Sequence, residues 1–195
     1  FGPELSLSYD SGSGNGAFGL GWTLSLPYIV RKTDKGLPQY DDANESDVFI
    51  LSGAEDLVPA LQTDETGDWS TENSRARIRE VQRAVGGIAY TIRSYRPRLE
   101  SAFARIERWT RQSDGDTHWR SISNDNILTL YGLTPDSRIA DPEYPRRVFT
   151  WLISETRDDR GNAVLYDYKH EDGSRVDLAK TCEASRGGRN DARRT

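Results

Sequence analysis

The sequence predicts a mainly β protein, built of antiparallel hairpins and carrying one short C-terminal helix. Three observations predict it. Apolar and polar residues alternate at period two in short runs, the spacing of half-buried strands. Gly, Asn and Asp clusters punctuate those runs. The composition is rich in Trp (5), Tyr (9) and Gly (17) and has no Met, a β-leaning profile for 195 residues.

The first strand is carried by Leu5, Leu7 and Tyr9, alternating with Ser6 and Ser8. "GNGAFG" (14–19) follows, with the G-x-G-x-x-G spacing of a dinucleotide-binding turn. That turn needs a helix directly after it, whose N-terminal N–H groups and dipole hold the pyrophosphate. Here Trp22, Leu24 and Leu26 alternate with Thr23 and Ser25, and Pro27 comes next, which is a second strand. The glycines therefore serve a reversal, and no cofactor is expected. Gly19 and Gly21 flank Leu20 and predict a bulge or the close approach of another backbone.

"SDVFILSG" (46–53) and "EDLVPAL" (55–61) read as strands, and "TDETGDWSTENS" as a polar loop. Residues 75–83 alternate Arg75, Arg77 and Arg79 with Ala76, Ile78 and Glu80, which predicts a strand with one basic face. Gly86-Gly87 marks a hairpin returning through 88–95. "FARIERWTRQSDGDTHWRSIS" predicts another, with Asp114-Gly115 at its turn and Trp109 and Trp119 on opposite arms. "NILTLYG" (126–132) is a strand, and "SRIADPEYPRR" a loop stiffened by Pro142 and Pro145. "VFTWLISETRDDRGNAVLYDYKHED" is the clearest hairpin, two β-rich arms around "DDRGN". Only "DLAKTCEAS" (177–185) reads as helix, with Asp177 as N-cap. The lack of Met and the polar ending "CEASRGGRNDARRT" are the marks expected of a piece of a longer chain.

Charge is unevenly spread over a net of −5. Residues 1–74 hold 3 basic and 13 acidic side chains, a balance of −10; residues 75–111 hold 10 Arg and 3 Glu, a balance of +7. Such complementary lobes are expected to pair within the molecule or between subunits, where Arg grips carboxylates bidentately. The acidic lobe argues against nucleic acid as a partner, despite the aromatics interleaved with the Arg cluster. No stretch approaches the ~20 apolar residues of a membrane-spanning helix.

The residues offer little chemistry. "DDANESD" (41–47) has Asp47 and Gly53 where a calcium loop begun at Asp42 needs Gly and Glu, so a solvated loop is expected. His118, His170 and Cys182 match no zinc spacing. There is no G-x-S-x-G elbow. Adjacent carboxylates such as Glu55-Asp56 and Asp158-Asp159 point to opposite faces of a strand. No catalytic, metal-binding or cofactor-binding residue is assigned.

Several stretches carry a resemblance. "LSLSYDSGSGNGAFGLGWTLSLPYIVRKTDKGLPQYDD" with "VFILSGAEDLVP" resembles the N-terminal region of the SpvB-type virulence proteins, which also opens the B component of bacterial insecticidal toxin complexes (Tc toxins). "YRPRLESAFARIERW", "DTHWRSIS", "YGLTPDSRIADP" and "WLISETRDDRGNAVLYDYKHED" are similar to that B component too, so the likeness runs over residues 1–185. "DDRGNAVLYDY" also resembles the YD/Rhs-repeat element. The resemblance implies that residues 1–176 are an incomplete β-rich shell region of the Rhs/YD type, followed by a truncated helix and polar tail at 177–195. It implies a secreted assembly, cytoplasmic before release, in which B joins a Rhs-type C component around a toxic effector and a pore-forming A component delivers it. The ADP-ribosyltransferase of the SpvB type uses a Glu-x-Glu motif that this sequence lacks. No enzyme activity is therefore expected. The alternative is a surface-exposed β module that recognises a glycan or receptor with its Trp and Tyr residues, Trp69 and Trp119 among them. A cut shell would also leave strand edges and apolar faces bare.

Overall fold

A computed structural model describes residues 5–16, 18–52, 55–63, 75–98 and 105–169, with residues 2, 68, 71–72, 177 and 180–181 besides. Its strands of three or more residues are β1 (Leu7–Tyr9), β2 (Trp22–Leu24), β3 (Tyr28–Arg31), β4 (Phe49–Leu51), β5 (Glu55–Pro59), β6 (Glu80–Val85), β7 (Ile88–Pro97), β8 (Arg105–Arg111), β9 (Thr117–Ile122), β10 (Leu128–Tyr131), β11 (Arg138–Ala140), β12 (Val148–Arg157) and β13 (Ala163–Leu165). Every pairing is antiparallel.

Eight of these strands close a barrel in the order β3–β4–β5–β7–β8–β9–β10–β12, with β12 returning to β3. Closure depends on the far half of the long strand β7. Its first half pairs with β6, and its last residues pair with β5 through Tyr95 opposite Pro59 and Pro97 opposite Leu57. The mainly β, antiparallel reading of the sequence therefore holds, and the closure is a finding of the structure.

Alternation sends one set of residues inward: Ile29, Phe49, Leu57, Tyr95, Ile106, Trp119, Tyr131, Trp151 and Ile153, all buried. Phe49 is the hub. Its ring lies 4.9 Å from Trp119, 5.8 Å from Trp151 and 6.0 Å from Tyr95, each edge-on. An eight-stranded barrel is just wide enough to be filled by side chains, and here aromatic rings fill it. Gly132 makes room for one of them. It takes φ +62°, and a Cβ there would come within 2.9 Å of Trp151 Cγ.

Local differences from the sequence reading have identifiable causes. The strand expected over 75–83 is divided, because residues 77–79 pair with 60–62 through Gln62 N–H to Arg77 O and Arg79 N–H to Ala60 O, both 2.8 Å. Only from Glu80 does the chain join β7. The loop expected over 137–147 begins with β11, paired to β12 after a short 3-10 turn at Pro135–Ser137. The two prolines that follow masked that three-residue strand. Trp109 and Trp119 do lie on opposite arms, but on opposite faces: Trp119 points into the barrel and Trp109 outward, where it packs with Tyr90 and His118. The "DDRGN" hairpin is present. Asp158 accepts from the backbone of Arg160 and Asn162 and from Asn162 Nδ2, and Tyr166 and Tyr168 beyond it pack on the core. Of the helix expected at 177–185 only Asp177, Lys180 and Thr181 are described, with Lys180 N–H donating to Asp177 O at 3.1 Å and none of the three assigned to helix; its other residues, with Cys182, His170 and Trp69, lie outside the described residues.

Candidate functional site

The acidic run is not a solvated loop. Its carboxylates meet three Arg at one end of the barrel. Arg31 alternates with Ile29 on β3 and so points inward, where it is almost fully buried. Its guanidinium is bidentate on Asp42 (2.6 and 2.8 Å), donates to Asp47 at 2.8 Å, and sends Nε to Val148 O at 2.7 Å. Glu45 receives Arg93 and Arg108, each at 2.5 Å, and the Tyr95 hydroxyl at 2.8 Å. The backbone carbonyl of Asp42 accepts from Arg93 at 2.7 Å and Arg108 at 3.0 Å. Residues 40–47 thus form a strap over the barrel mouth, with Tyr40 (φ 58°) and Glu45 (φ 51°) in the left-handed region to make the fold-back.

The balance of forces at this lock follows from burial and pairing. Burial alone would raise the Asp42 carboxyl, but Arg31, Arg108 and Arg93 outweigh it and hold the carboxyl below its usual range. Burial alone would lower Arg31, and the Asp42 and Asp47 carboxylates raise it instead. Burial pushes the Tyr95 phenol well above its usual range. The Arg31 and Arg108 guanidiniums also lie 5.1 and 5.2 Å from the Phe49 ring centroid, so the lock is seated on the aromatic core. The pairing of acidic and basic lobes was legible in the charge distribution. Arg31 was not, and its signal is an arginine at an inward position of an apolar strand.

The outer face of β8 and β9 carries a second buried cluster. Trp109 Nε1 donates to Glu107 at 2.9 Å, and the Arg120 guanidinium lies 3.6 Å from the Trp109 ring centroid. His118 sits against Trp109 and Tyr90, with its Nε2 buried and without a hydrogen-bond partner among the described residues. Burial first, then the Arg120 and Arg138 charges, pull its pKa down to about 4. The unfolded chain takes up this proton near the ordinary value of 6.5. The group's contribution is therefore complete above that value and is lost as pH falls toward 4, up to about 3 kcal/mol. Chemical denaturation between pH 7 and 4 is expected to show this slope, and His118→Phe to flatten it. An unchanged slope in the variant would contradict the assignment.

A groove of about 490 Å³ is lined by Arg111, Asp116, Leu133, Arg138, Pro142 and Arg146 among others. Its charges are paired: Asp116 accepts from Arg111 at 2.5 Å and from both Arg138 terminal nitrogens. Ser137 and Ser154 are linked at 2.8 Å beside it, both buried, and Ser154 Oγ accepts from Leu133 N–H, a turn-holding role. Among the described residues no three His, Cys, Asp or Glu are grouped to hold a metal ion, and no helix is long and apolar enough to cross a membrane.

"GNGAFG" reverses the chain between strands. Asn15–Gly16 bridges Gly19–Leu20, and β1 pairs with β2. No helix starts at Leu20. Gly21 is the site of close approach, since a Cβ there would come within 2.6 Å of the Tyr9 ring and 2.9 Å of Asp10 O. The resulting ribbon stands apart from the barrel sheet. On one face Ser8 and Thr23 hydroxyls bond at 2.9 Å. On the other, Leu7 lies opposite Leu24 and Tyr9 opposite Trp22. That apolar face is open: Leu7 is 51%, Tyr9 60% and Trp22 42% exposed.

A filled barrel, locked by ion pairs and flanked by a bare apolar ribbon, defines a closed antiparallel β domain. The chain belongs to the family described as the Salmonella virulence plasmid 65kDa B protein, SpvB, which it matches over residues 1–195. It is 37% identical over 178 residues to the mono(ADP-ribosyl)transferases SpvB of Salmonella typhimurium strain 14028s and of Salmonella dublin. The match covers 91% of this chain but 29% and 28% of those proteins, so the chain spans less than a third of their length. Among solved structures, the N-terminal domain of effector protein SpvB from Salmonella typhimurium strain LT2 is similar with a TM-score of 0.78 at 36% identity, covering all of this chain and 57% of that one. A TcdB2-TccC3-Cdc42 complex matches with a TM-score of 0.79 at 31% identity, covering all of this chain and 8% of that one. The Photorhabdus luminescens Tc holotoxin pore matches with a TM-score of 0.78 at 30% identity, over 98% of this chain and 8% of that one.

Proposed function

We propose that this chain is a non-catalytic wall element of a bacterial toxin-complex B subunit or SpvB-like virulence protein, helping to encapsulate and deliver a toxic effector. Its partners would be a Rhs-type C component and a pore-forming A component, in a secreted assembly. The observation that carries the reading is the barrel interior. Aromatic rings and paired Arg occupy it, and the strap covers its mouth. Such an interior stiffens a wall and offers a substrate no room. The likeness to SpvB falls on its N-terminal domain, and the Glu-x-Glu motif of ADP-ribosyl transfer does not occur in the sequence.

Purified residues 1–195 are expected to transfer no ADP-ribose from NAD to any protein acceptor and to hydrolyse no NAD. Turnover that survives repurification and scales with protein concentration would overturn the reading. The rival of a module that recognises a glycan or receptor with its Trp and Tyr residues cannot use Trp119, which is fully buried in the core.

A further inference from the structure

We propose that β6 is an open sheet edge that takes up an extended acidic segment of a protein partner as one further strand, with an acidic side chain opposite Arg83 and apolar side chains opposite Val81 and Val85. The proposal adds a contact to the wall role and stands without it.

Among the described residues β6 pairs with β7 alone, at the end of the sheet order. The barrel closes past it, through the far half of β7. All six residues of β6 are exposed. In such a strand half of the backbone N–H and C=O groups point away from the paired neighbour and template another strand. Pro, Lys or a bulge usually blunts an edge of this kind. β6 has none of them, and its register with β7 runs unbroken from Glu80 opposite Arg93 to Val85 opposite Ile88.

The chemistry of the occupant follows from the two faces of β6. On one face the polar groups are engaged: Glu80 accepts from Arg93 at 2.5 Å, and the Gln82 side chain accepts from Gln112. The other face presents Val81, Arg83 and Val85, with the two valines 47% and 42% exposed. Arg83 meets no carboxylate among the described residues. It stands opposite Tyr90, and its charge reaches Arg120. Burial first, with the Arg83 charge adding to it, holds Arg120 below its usual range. Glu107, opposite Arg120 on β8, already serves Arg105 and Trp109 Nε1. Arg83 therefore faces an unneutralised positive field. Opposite charges directly across a ladder stabilise it, and like charges oppose it. A basic strand is repelled at this edge, a neutral one leaves the guanidinium unpaired, and an acidic one pairs with it. Because alternate residues share a face, the segment that fits reads apolar-x-acidic-x-apolar.

The test titrates the full natural polypeptide containing this chain into a fluorescein-labelled peptide, Thr-Val-Thr-Glu-Thr-Val-Thr, followed by fluorescence anisotropy. This peptide is expected to bind at least about tenfold more tightly than its counterpart with Lys in place of Glu. Arg83→Gln is expected to erase the preference and Arg83→Glu to invert it, both with an unchanged melting temperature because the position is exposed. Bound peptide is expected to slow amide exchange in residues 80–85, and N-methylation of the peptide amides to abolish binding, since the backbone ladder supplies the affinity. Equal affinity for the Glu and Lys peptides, binding of neither, or undiminished binding of the N-methylated peptide would overturn the proposal. Displacement of the peptide by a tighter-binding single-stranded DNA oligonucleotide would also overturn it, and would make this face a nucleic-acid site.

Discussion

Glu45→Ala is expected to cost about 3–5 kcal/mol, since it strips the shared partner from the buried Arg108 and the half-buried Arg93. Arg93 and Arg108 both end on Glu45 Oε1, and Arg108 is 2% exposed at its side chain. Arg108 Nε and Nη1 already lack hydrogen-bond partners among the described residues, so little remains to absorb the loss. The melting temperature of a chain this size would fall by roughly 10 °C. Glu45→Gln separates charge from shape: it keeps an acceptor for Arg108 and Tyr95 and is expected to cost less than the alanine. If Glu45→Ala melts like the wild type, the strap is a surface loop and the lock is not a source of stability.

Trp119→Ala is expected to lose about 3–5 kcal/mol, a large fraction of the 5–15 kcal/mol typical of a domain. Trp119 has no exposed surface and touches Phe49, Tyr95 and Trp151 at centroid distances of 4.9, 4.9 and 5.9 Å. Its removal leaves a hole in the centre of a closed barrel, whose hydrogen-bonded wall cannot collapse to fill it. Equilibrium urea denaturation checks this. A variant that keeps full stability but loses binding to a glycan would favour the recognition-module alternative.

The sequence displayed the hairpins because their signals are local. The alternation in "ARIERWTR" and the Asp114-Gly115 turn lie within one stretch of chain, and the observed strands β8 and β9 follow them. Closure was hidden because it joins Tyr95 to Pro59 across a polar loop, and no local pattern encodes that pairing. The acidic strap was half legible. Opposite net charges foretold pairing, but only the fold-back at Tyr40 and Glu45 turns a run of carboxylates toward Arg31, Arg93 and Arg108. The ribbon shows the converse. Its alternation was plain in "LSLSYD" and "WTLSL", while the exposure of its apolar face emerged only when the barrel was seen to close without it. The strand after Gly21, where a dinucleotide-binding turn would need a helix, is the feature the sequence showed most directly.

The wall role is tested most directly by copurification. The full natural polypeptide containing this chain, coexpressed with a Rhs-type C component, is expected to elute with it as one assembly and to shield a fused reporter from added protease. Separate elution of the two, with the reporter digested at the rate of the free protein, would contradict it.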